Sequence, residues 1–495
     1  MSGVARFAVR LANGLAARGR RAGLLLHAAT AAIPPLRLPL DDRVEVFDCG
    51  DLPPIEDADP ELFVERYALA SDRLAAGGPV AVVLGQHAGP FAVAAELIGS
   101  RSRDFRTVGV AHSDNGYDTR VLAHYEPLLH ALVAVSGSLR SSIASLAPRR
   151  AESIELIPYG VEVPATSHSR EPTGGRPLRL LYAGRLDHYQ KRVLALPGLS
   201  RELDRRGIAH RLTIVGDGPA RDDLARECEG TASISFAPAA TPAQVASLLD
   251  ANDAFVLPSR FEGLSIAMLE ALAHGCVPVV APSRSGTAEA VLPGVTGEIA
   301  SATPDCDERT TGLALADAVD ALRRRDLGEM AERCRRHAQQ HFSIETHTDR
   351  WCALLDRVAR EPPRTWPIGR PARFDAASAS GSGSVPADAA ERFLRVAESL
   401  GGAAIALHGA GAHTRALEGS IGRINLVCIA DDDRQRHGET LLGVPVVDPN
   451  HVGSTGVQHV VVSTHLHEPA VWRRRAIYER QGLTVHRLYA DTDAR

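Results

Sequence analysis

A chain of 495 residues and 52.7 kDa is longer than one hydrophobic core supports, and three domains is the expectation. A net charge of −5 and a pI near 6.5 exclude the global basic field that holds nucleic acid. No apolar run reaches the roughly 18 residues of a bilayer span.

The start, Met1-Ser-Gly-Val-Ala-Arg-Phe7, lacks the charged head and apolar stretch of a signal peptide. The seven cysteines are scattered without C-x-x-C spacing, which suits reduced thiols and offers no zinc site. A cytoplasmic globular protein is expected.

Along the chain, short apolar runs alternate with helical patterns, the signature of parallel sheets covered by helices. Val4, Phe7, Leu11 and Leu15 share one face of a first helix over 4–17. Strands are expected at Ala22–His27, Val44–Phe47, Val80–Leu84, Thr107–Ala111 and Ala131–Val135. After the polar stretch Thr166–Arg176, a second series reads Leu178–Ala183, Arg211–Val215, Ser233–Phe236, Ala254–Leu257 and Val277–Ala281, followed by helix through 313–360. The Pro-, Gly-, Ser- and Ala-rich segment Glu361–Ala387 reads as a linker. Beyond it come a helix near 389–400 and strands at Ala404–His408, Asn425–Ile429 and His459–Ser463. The domains expected are therefore 1–165, 166–360 and 389–495, with 361–388 as linker.

Chemistry concentrates in the second series. Phe261-Glu-Gly-Leu-Ser-Ile-Ala-Met-Leu-Glu270 places Glu262 in a turn before a helix and Glu270 inside it, at a spacing that lets both carboxylates face one side. Gly263 permits close backbone approach, and the helix N-terminus favours an anion. Two solvated glutamates on a surface helix are the plainer alternative. Upstream, Leu181-Tyr-Ala-Gly-Arg-Leu-Asp-His-Tyr-Gln-Lys-Arg192 follows a strand with Gly184 and then offers Arg185 and Lys191, two cations suited to a pyrophosphate. Ile214-Val-Gly-Asp-Gly-Pro219 adds a strand ending in a glycine turn at Gly216.

In this order and spacing these pieces resemble the retaining nucleotide-sugar glycosyltransferases of family 4, over roughly 3–360. Leu132-Val-Ala-Val-Ser-Gly-Ser-Leu-Arg140 and Ile157-Pro-Tyr-Gly-Val161 look like that family's domain junction. The resemblance implies the α/β GT-B fold: two facing Rossmann-like parallel-sheet domains, with a third small Rossmann-like domain appended. It implies a metal-independent transferase of glycan biosynthesis that needs no cofactor beyond a nucleotide-diphosphate sugar, with UDP favoured and a hexose-type sugar moved. Arg185 and Lys191 would bind the pyrophosphate, Glu270 the ribose hydroxyls and Glu262 the transferred sugar. The backbone of Gly263, Leu264 and Ser265 would reach sugar or phosphate, and Phe236 and Pro238 would meet the base. His112, ending the strand Val108-Gly-Val-Ala-His-Ser-Asp114, matches the family's active-site histidine, although a strand-end histidine is often structural. Gly3 would approach phosphates or acceptor. Asp114 is the nearest candidate for a nucleophilic carboxylate.

Family members begin with a strand and a glycine-rich loop, whereas this chain starts inside that loop, so the first strand is expected to be missing, through a start codon placed too late rather than a sheet that has lost a central element. A catalytically impaired, donor-binding scaffold is therefore the alternative function. A phosphorylase would need a lysine placed for pyridoxal phosphate, and no context supports one. Arg6, Arg10, Arg18, Arg20 and Arg21 form a basic face on the first helix, read as solvated or as a peripheral membrane contact in an enzyme with a lipid-linked acceptor. Small-molecule and glycan acceptors stay open.

The third segment, Ala404-Ile-Ala-Leu-His-Gly-Ala-Gly-Ala-His-Thr-Arg415, is strand, glycine turn, helix, with Thr414 where a dinucleotide fingerprint has its third glycine. With Gly443-Val-Pro-Val-Val-Asp-Pro449 it resembles the Rossmann modules preceding sugar acyltransferase domains; no ligand, a nucleotide-sugar or NAD are the alternatives. Asp431-Asp-Asp433 and His465-Leu-His467-Glu468 imitate metal sites and are read as turn and surface residues.

Overall fold

A computed structural model of the chain folds as two units, Met1–Phe374 and Asp375–Arg495. The structure describes residues 3–28, 39–56, 58–75, 78–85, 87–101, 105–113, 116–165, 175–283, 285–304, 306–367, 372–374, 389–422, 424–432, 436–464, 468–473 and 475–489.

The first half of the first unit runs α1 (Gly3–Ala17), β1 (Ala22–His27), β2 (Val44–Cys49), α2 (Glu61–Ala75), β3 (Val80–Leu84), α3 (Ala88–Arg101), β4 (Phe105–Ala111), α4 (Gly116–His124), β5 (Ala131–Ala134), α5 (Gly137–Leu146) and β6 (Ile154–Leu156). Its strands lie in two parallel sheets, β1-β2 and β3-β4-β5-β6. Every residue of β4 and β5 is buried, as parallel strands covered on both faces must be.

The second half runs β7 (Leu178–Ala183), α6 (Ala195–Arg205), β8 (His210–Val215), α7 (Arg221–Glu227), β9 (Ile234–Ala237), α8 (Pro242–Ala251), β10 (Ala254–Leu257), α9 (Ile266–Ala273), β11 (Val277–Val280), α10 (Thr287–Ala290), β12 (Glu298–Ile299), α11 (Glu308–Leu322), α12 (Leu327–His341) and α13 (Ile344–Val358). One six-stranded parallel sheet results, ordered β12-β11-β10-β7-β8-β9. The strand order reverses direction between β7 and β10, which makes the carboxyl ends of these neighbours the switch point of the sheet, where ligands bind in open α/β folds. α13 returns to the first half, where Thr348 lies against Gly14 of α1 and Arg18 pairs with Asp349 at 2.7 Å.

Part of the segment expected as linker packs on the first unit. Thr107 N–H donates to His130 Nδ1 at 3.0 Å, which leaves the other ring nitrogen of His130 to donate to the Pro362 carbonyl at 3.2 Å. The Tyr125 hydroxyl donates to the Ala372 carbonyl at 2.7 Å and accepts from Phe374 N–H at 3.0 Å, with the Trp366 ring 5.5 Å away. The aromatic area of Trp366 and Phe374 outweighs the Pro- and Gly-rich composition around them.

The second unit comprises α14 (Ala389–Ser399), β13 (Ile405–His408), α15 (Ala412–Ala416), α16 (Glu418–Ile421), β14 (Leu426–Ala430), β15 (Thr440–Leu441), β16 (Val444–Val447), β17 (His459–Val462), α17 (Glu468–Arg473), α18 (Ala476–Glu479) and β18 (Thr484–Arg487). Its sheet is ordered β15-β16-β14-β13-β17-β18, parallel except for the β15–β16 hairpin. Phe393 and Leu417 pack with Ile405, Leu407, Ile429 and Val461 in one core on one side of it.

Tyr125→Phe strips one buried and one partly buried backbone group of their partner, and urea unfolding is expected to show a loss of about 1–3 kcal/mol. An unchanged midpoint would mean that 372–374 do not hold this position.

Candidate active site

The loops after β7, β8 and β10 are built against one another. Gly216, at φ 145°, lies where a Cβ would meet the Gly184 carbonyl at 1.9 Å, so the β7 and β8 turns pack backbone to backbone. The Tyr182 hydroxyl donates to the Arg185 carbonyl at 2.7 Å, and the half-exposed Arg185 side chain donates to Gln190 Oε1 at 2.9 Å. Gln190 then ties this loop to the next, accepting from Arg260 N–H at 2.8 Å and donating to the Phe261 carbonyl at 3.3 Å. Lys191 Nζ donates to Glu262 Oε1. The structure thus joins directly two residues 71 positions apart that the sequence assigned to separate motifs.

Glu262 is buried, and Gly263 after it is pressed on the first half of the unit: a Cβ there would stand 2.0 Å from the His112 carbonyl. The Gly263 carbonyl accepts from Gly286 N–H at 3.0 Å, and Leu264 is buried beside Gly286. Ser265 caps α9, its hydroxyl accepting from Met268 N–H at 3.4 Å. Glu270 carries the densest charge contact of the site. Arg6 Nη1 donates to both its oxygens, at 3.0 and 2.9 Å, and Arg10 Nη2 to one at 2.6 Å.

His112 is buried at the end of β4. Its Nδ1 shares a 2.7 Å hydrogen bond with the Tyr159 hydroxyl, its ring stacks on Tyr159, and Phe7 of α1 meets it edge-on at 4.8 Å. Burial, with a smaller contribution from His87, pushes its pKa down to about 3, so the imidazole is neutral near pH 7. Gly3 opens α1 against Ile266, the first residue of α9. Gly184, Arg185, Lys191, Gly216, Glu262, Gly263, Leu264, Ser265, Glu270, His112 and Gly3 therefore belong to one connected set of loops and helix ends. Phe236 and Pro238 are exposed at the carboxyl end of edge strand β9, where Ala237 pairs with Val215 just before Gly216. Asp114 lies outside the described residues.

On the basic face expected for the first helix, Arg6 and Arg10 bind Glu270 and so are not solvated, whereas the more exposed Arg18, Arg20 and Arg21 pair with Asp349, Asp356 and Glu45. In the second unit the Asp431 carboxylate accepts from Ala410 N–H at 2.6 Å, bracing the glycine turn. Thr414, at the third-glycine place, is buried, its hydroxyl donating to the Gly409 carbonyl and hydrogen-bonded to the Ser463 hydroxyl. Asp433, His465 and His467 lie outside the described residues.

The contributions of five residues escaped the sequence. Tyr159 stood in the quoted junction Ile157-Pro-Tyr-Gly-Val161 without a role. Arg192 follows Lys191 but is wholly buried at φ 45°, donating to the carbonyls of Pro258, Ser259, Pro304 and Cys306 and so fixing the strap that carries Lys191. Glu289 of α10 accepts from Gly137 and Ser138 N–H at 2.9 and 3.1 Å, joining α5 to the second sheet's loops. The Arg6 and Arg10 pairing with Glu270 spans 264 and 260 positions, beyond any local signal.

Residues 177–323 match the family described as Glycosyl transferases group 1. A glycogen synthase from Mycobacterium tuberculosis is 32% identical over 249 residues, covering 48% of this chain and 57% of its own length. A D-inositol 3-phosphate glycosyltransferase from Mycobacterium leprae is 32% identical over 174 residues, covering 30% of this chain and 39% of its own. The chain thus spans little more than half of the first relative and less of the second. Among solved structures, sucrose-phosphate synthase from Thermosynechococcus elongatus aligns with a TM-score of 0.57 at 16% identity, covering 72% of this chain and 94% of that one. HepE of Anabaena, solved with UDP-glucose, aligns at 0.54 and 16% identity, covering 72% and 97%. These likenesses show the GT-B fold, and the expected family resemblance is borne out over 177–323.

The depressed pKa of His112 has a consequence for stability. Between pH about 3 and 6.5 the unfolded chain binds one more proton at this position than the folded one, so acidification through that window destabilises the fold. His112→Gln is expected to flatten the dependence by up to ~1.4 kcal/mol per pH unit, read from denaturant melts at about pH 4.5 and 6.5. An unaltered slope would show that the imidazole titrates normally.

Proposed function

We propose that this chain, which carries a group 1 glycosyl transferase domain in a GT-B frame, moves a hexose-type sugar from a nucleotide-diphosphate donor to an acceptor with retention of configuration. The observation that carries this reading is the junction of Lys191 with Glu262, beside Arg185 and against His112 through Gly263. Breaking the anomeric bond makes negative charge on the departing diphosphate and positive charge on the sugar. Fixed cations from Arg185 and Lys191 stabilise the former in the transition state, which is why the proposal is metal-independent and cofactor-free. Glu262 holds hydroxyls of the sugar, and Glu270 those of the ribose. The neutral His112 imidazole, oriented by Tyr159, offers hydrogen bonding to the sugar or acceptor without competing for the diphosphate as a cation would.

UDP is the proposed nucleotide, supported by the UDP-glucose of HepE, and the glycogen synthase and inositol-phosphate relatives support a polyhydroxylated acceptor. A cytoplasmic site of action is part of the proposal; among the described residues no helix is long and apolar enough to cross a membrane. One observation favours a second function, donor binding without transfer. Among the described residues, the strands of the first half form two separate sheets, with β1 and β3 unpaired to one another.

A thermal-shift panel with UDP, GDP, ADP and NAD on the wild type, Arg185→Ala and Glu270→Ala tests the site. A diphosphate at ~100 times its Kd should add about 2.7 kcal/mol to the wild type, and both variants should lose that gain. A response to NAD alone, indifferent to both changes, would sink the proposal. Lys191→Ala should then lower transfer from the responding nucleotide-sugar by about 10²–10³-fold. Binding with no turnover on any acceptor would favour the scaffold.

A further inference from the structure

The Glu270 carboxylate is nearly saturated before any hydroxyl reaches it. It accepts three N–H bonds, two from Arg6 and one from Arg10, and a carboxylate has about four lone-pair sites to offer. A ribose presents two O–H donors to the same group. Three and two do not fit on four, so a bound ribose must displace an arginine contact.

The two arginines are not equivalent. Arg10 has a second anchor, Nη1 donating to the Gly160 carbonyl at 3.3 Å, and keeps its place with one bond to Glu270. Both bonds recorded for Arg6 go to Glu270. Arg6 also sits one turn from Gly3, which packs on Ile266 at the start of α9, immediately after the loop that carries Glu262 and Gly263. A guanidinium released there is about one-fifth exposed and needs a new anionic partner. The incoming donor brings one.

We propose that Arg6 is a diphosphate-binding residue of the donor site, held by Glu270 and exchanged onto the donor diphosphate when the ribose hydroxyls take that carboxylate. This rests on the donor-site reading above. Its signature is a crossed effect. A nucleoside has no phosphate and only competes with Arg6 for Glu270, whereas a nucleoside diphosphate both competes with Arg6 and recruits it.

The test is calorimetric titration of wild type, Arg6→Gln, Arg6→Lys, Glu270→Gln and Arg18→Gln with UDP and uridine, or with GDP and guanosine or ADP and adenosine if the thermal panel selects that base. Arg6→Gln should bind the nucleoside about threefold more tightly and the diphosphate about tenfold more weakly. Arg6→Lys, which keeps the cation, should restore diphosphate affinity to within about threefold. Should Arg6→Gln fail to fold, Arg6→Lys carries the comparison alone, with nucleoside tightened and diphosphate near wild type. Arg18→Gln, just past the end of the same helix and paired with exposed Asp349, should change neither. If the Arg6 variants weaken both ligands, Arg6 only positions Glu270 and the inference fails. If they tighten both, Arg6 only blocks the site and the inference fails as well. If Glu270→Gln leaves wild-type binding of both ligands intact, or the wild type binds neither, the donor-site reading itself falls and takes this inference with it.

Discussion

Gly263 stands so close to the His112 carbonyl that one added carbon would come within 2.0 Å of it, and the geometry of the first unit depends on that contact. It fixes the loop after β10 against the end of β4, and with it the distance between the two halves' strand ends. Two neighbours repeat the arrangement. Gly286 leaves room for Ser136, and Glu289 caps the N-terminus of α5 from the opposite side. A side chain at Gly263 could be accommodated only by moving backbone, because what it would strike is a carbonyl and not the flexible end of a side chain. The loop that carries Glu262 is therefore positioned by what lacks a side chain, and Glu262 is positioned by the loop.

Charge is arranged with the same economy. Glu262 and Glu270 are largely removed from water, and burying an ionised carboxylate without a partner would cost several kcal/mol. Each receives a cation from elsewhere in the unit: Lys191 from the β7 loop, Arg6 and Arg10 from α1. These pairs differ from Arg18–Asp349 and Arg20–Asp356, whose acids are half exposed or more and whose net worth is correspondingly small. The partly buried pairs hold charged groups ready while leaving every one of them a partner that a phosphate or a sugar hydroxyl can replace. A site for a dianionic ligand has to be stable without it and still yield to it, and exchangeable ion pairs meet both demands.

How much of this was legible follows from the range of each interaction. Buried parallel strands such as Leu178–Ala183 and Ala254–Leu257 announce themselves as continuous apolar runs, and both stand at the expected residues. The three-residue β6 and the two-residue β12 are too short to carry a periodic signal, and β18 was absent from the expected strands because its half-exposed Thr-Val-His-Arg does not read as a core. In the site, Arg185, Lys191, Glu262 and Glu270 were visible through residue type and local spacing. The identity of each one's partner was not, since Lys191 meets Glu262 across 71 positions and Arg6 meets Glu270 across 264. The linker shows the opposite failure. Composition averaged over 361–388 hid Trp366 and Phe374, two aromatic side chains that pack on His124 and Tyr125 of the first unit.

The second unit shows how a motif can keep its outline while its polar groups are used elsewhere. In a dinucleotide site, the acid at the end of the second strand is directed at a ribose and the third glycine lets helix and strand close on each other. Here Asp431 spends an oxygen on the Ala410 N–H, within the glycine turn itself. Thr414 fills the glycine place with a hydroxyl bonded to Gly409 and Ser463, and neighbouring His413 is buried between Ser463 and Tyr489. Groups that would read a ribose or admit a pyrophosphate are thus committed to holding the turn in shape. Such a turn is rigid, and its commitments weigh against a dinucleotide and toward a module whose strand ends present a fixed surface.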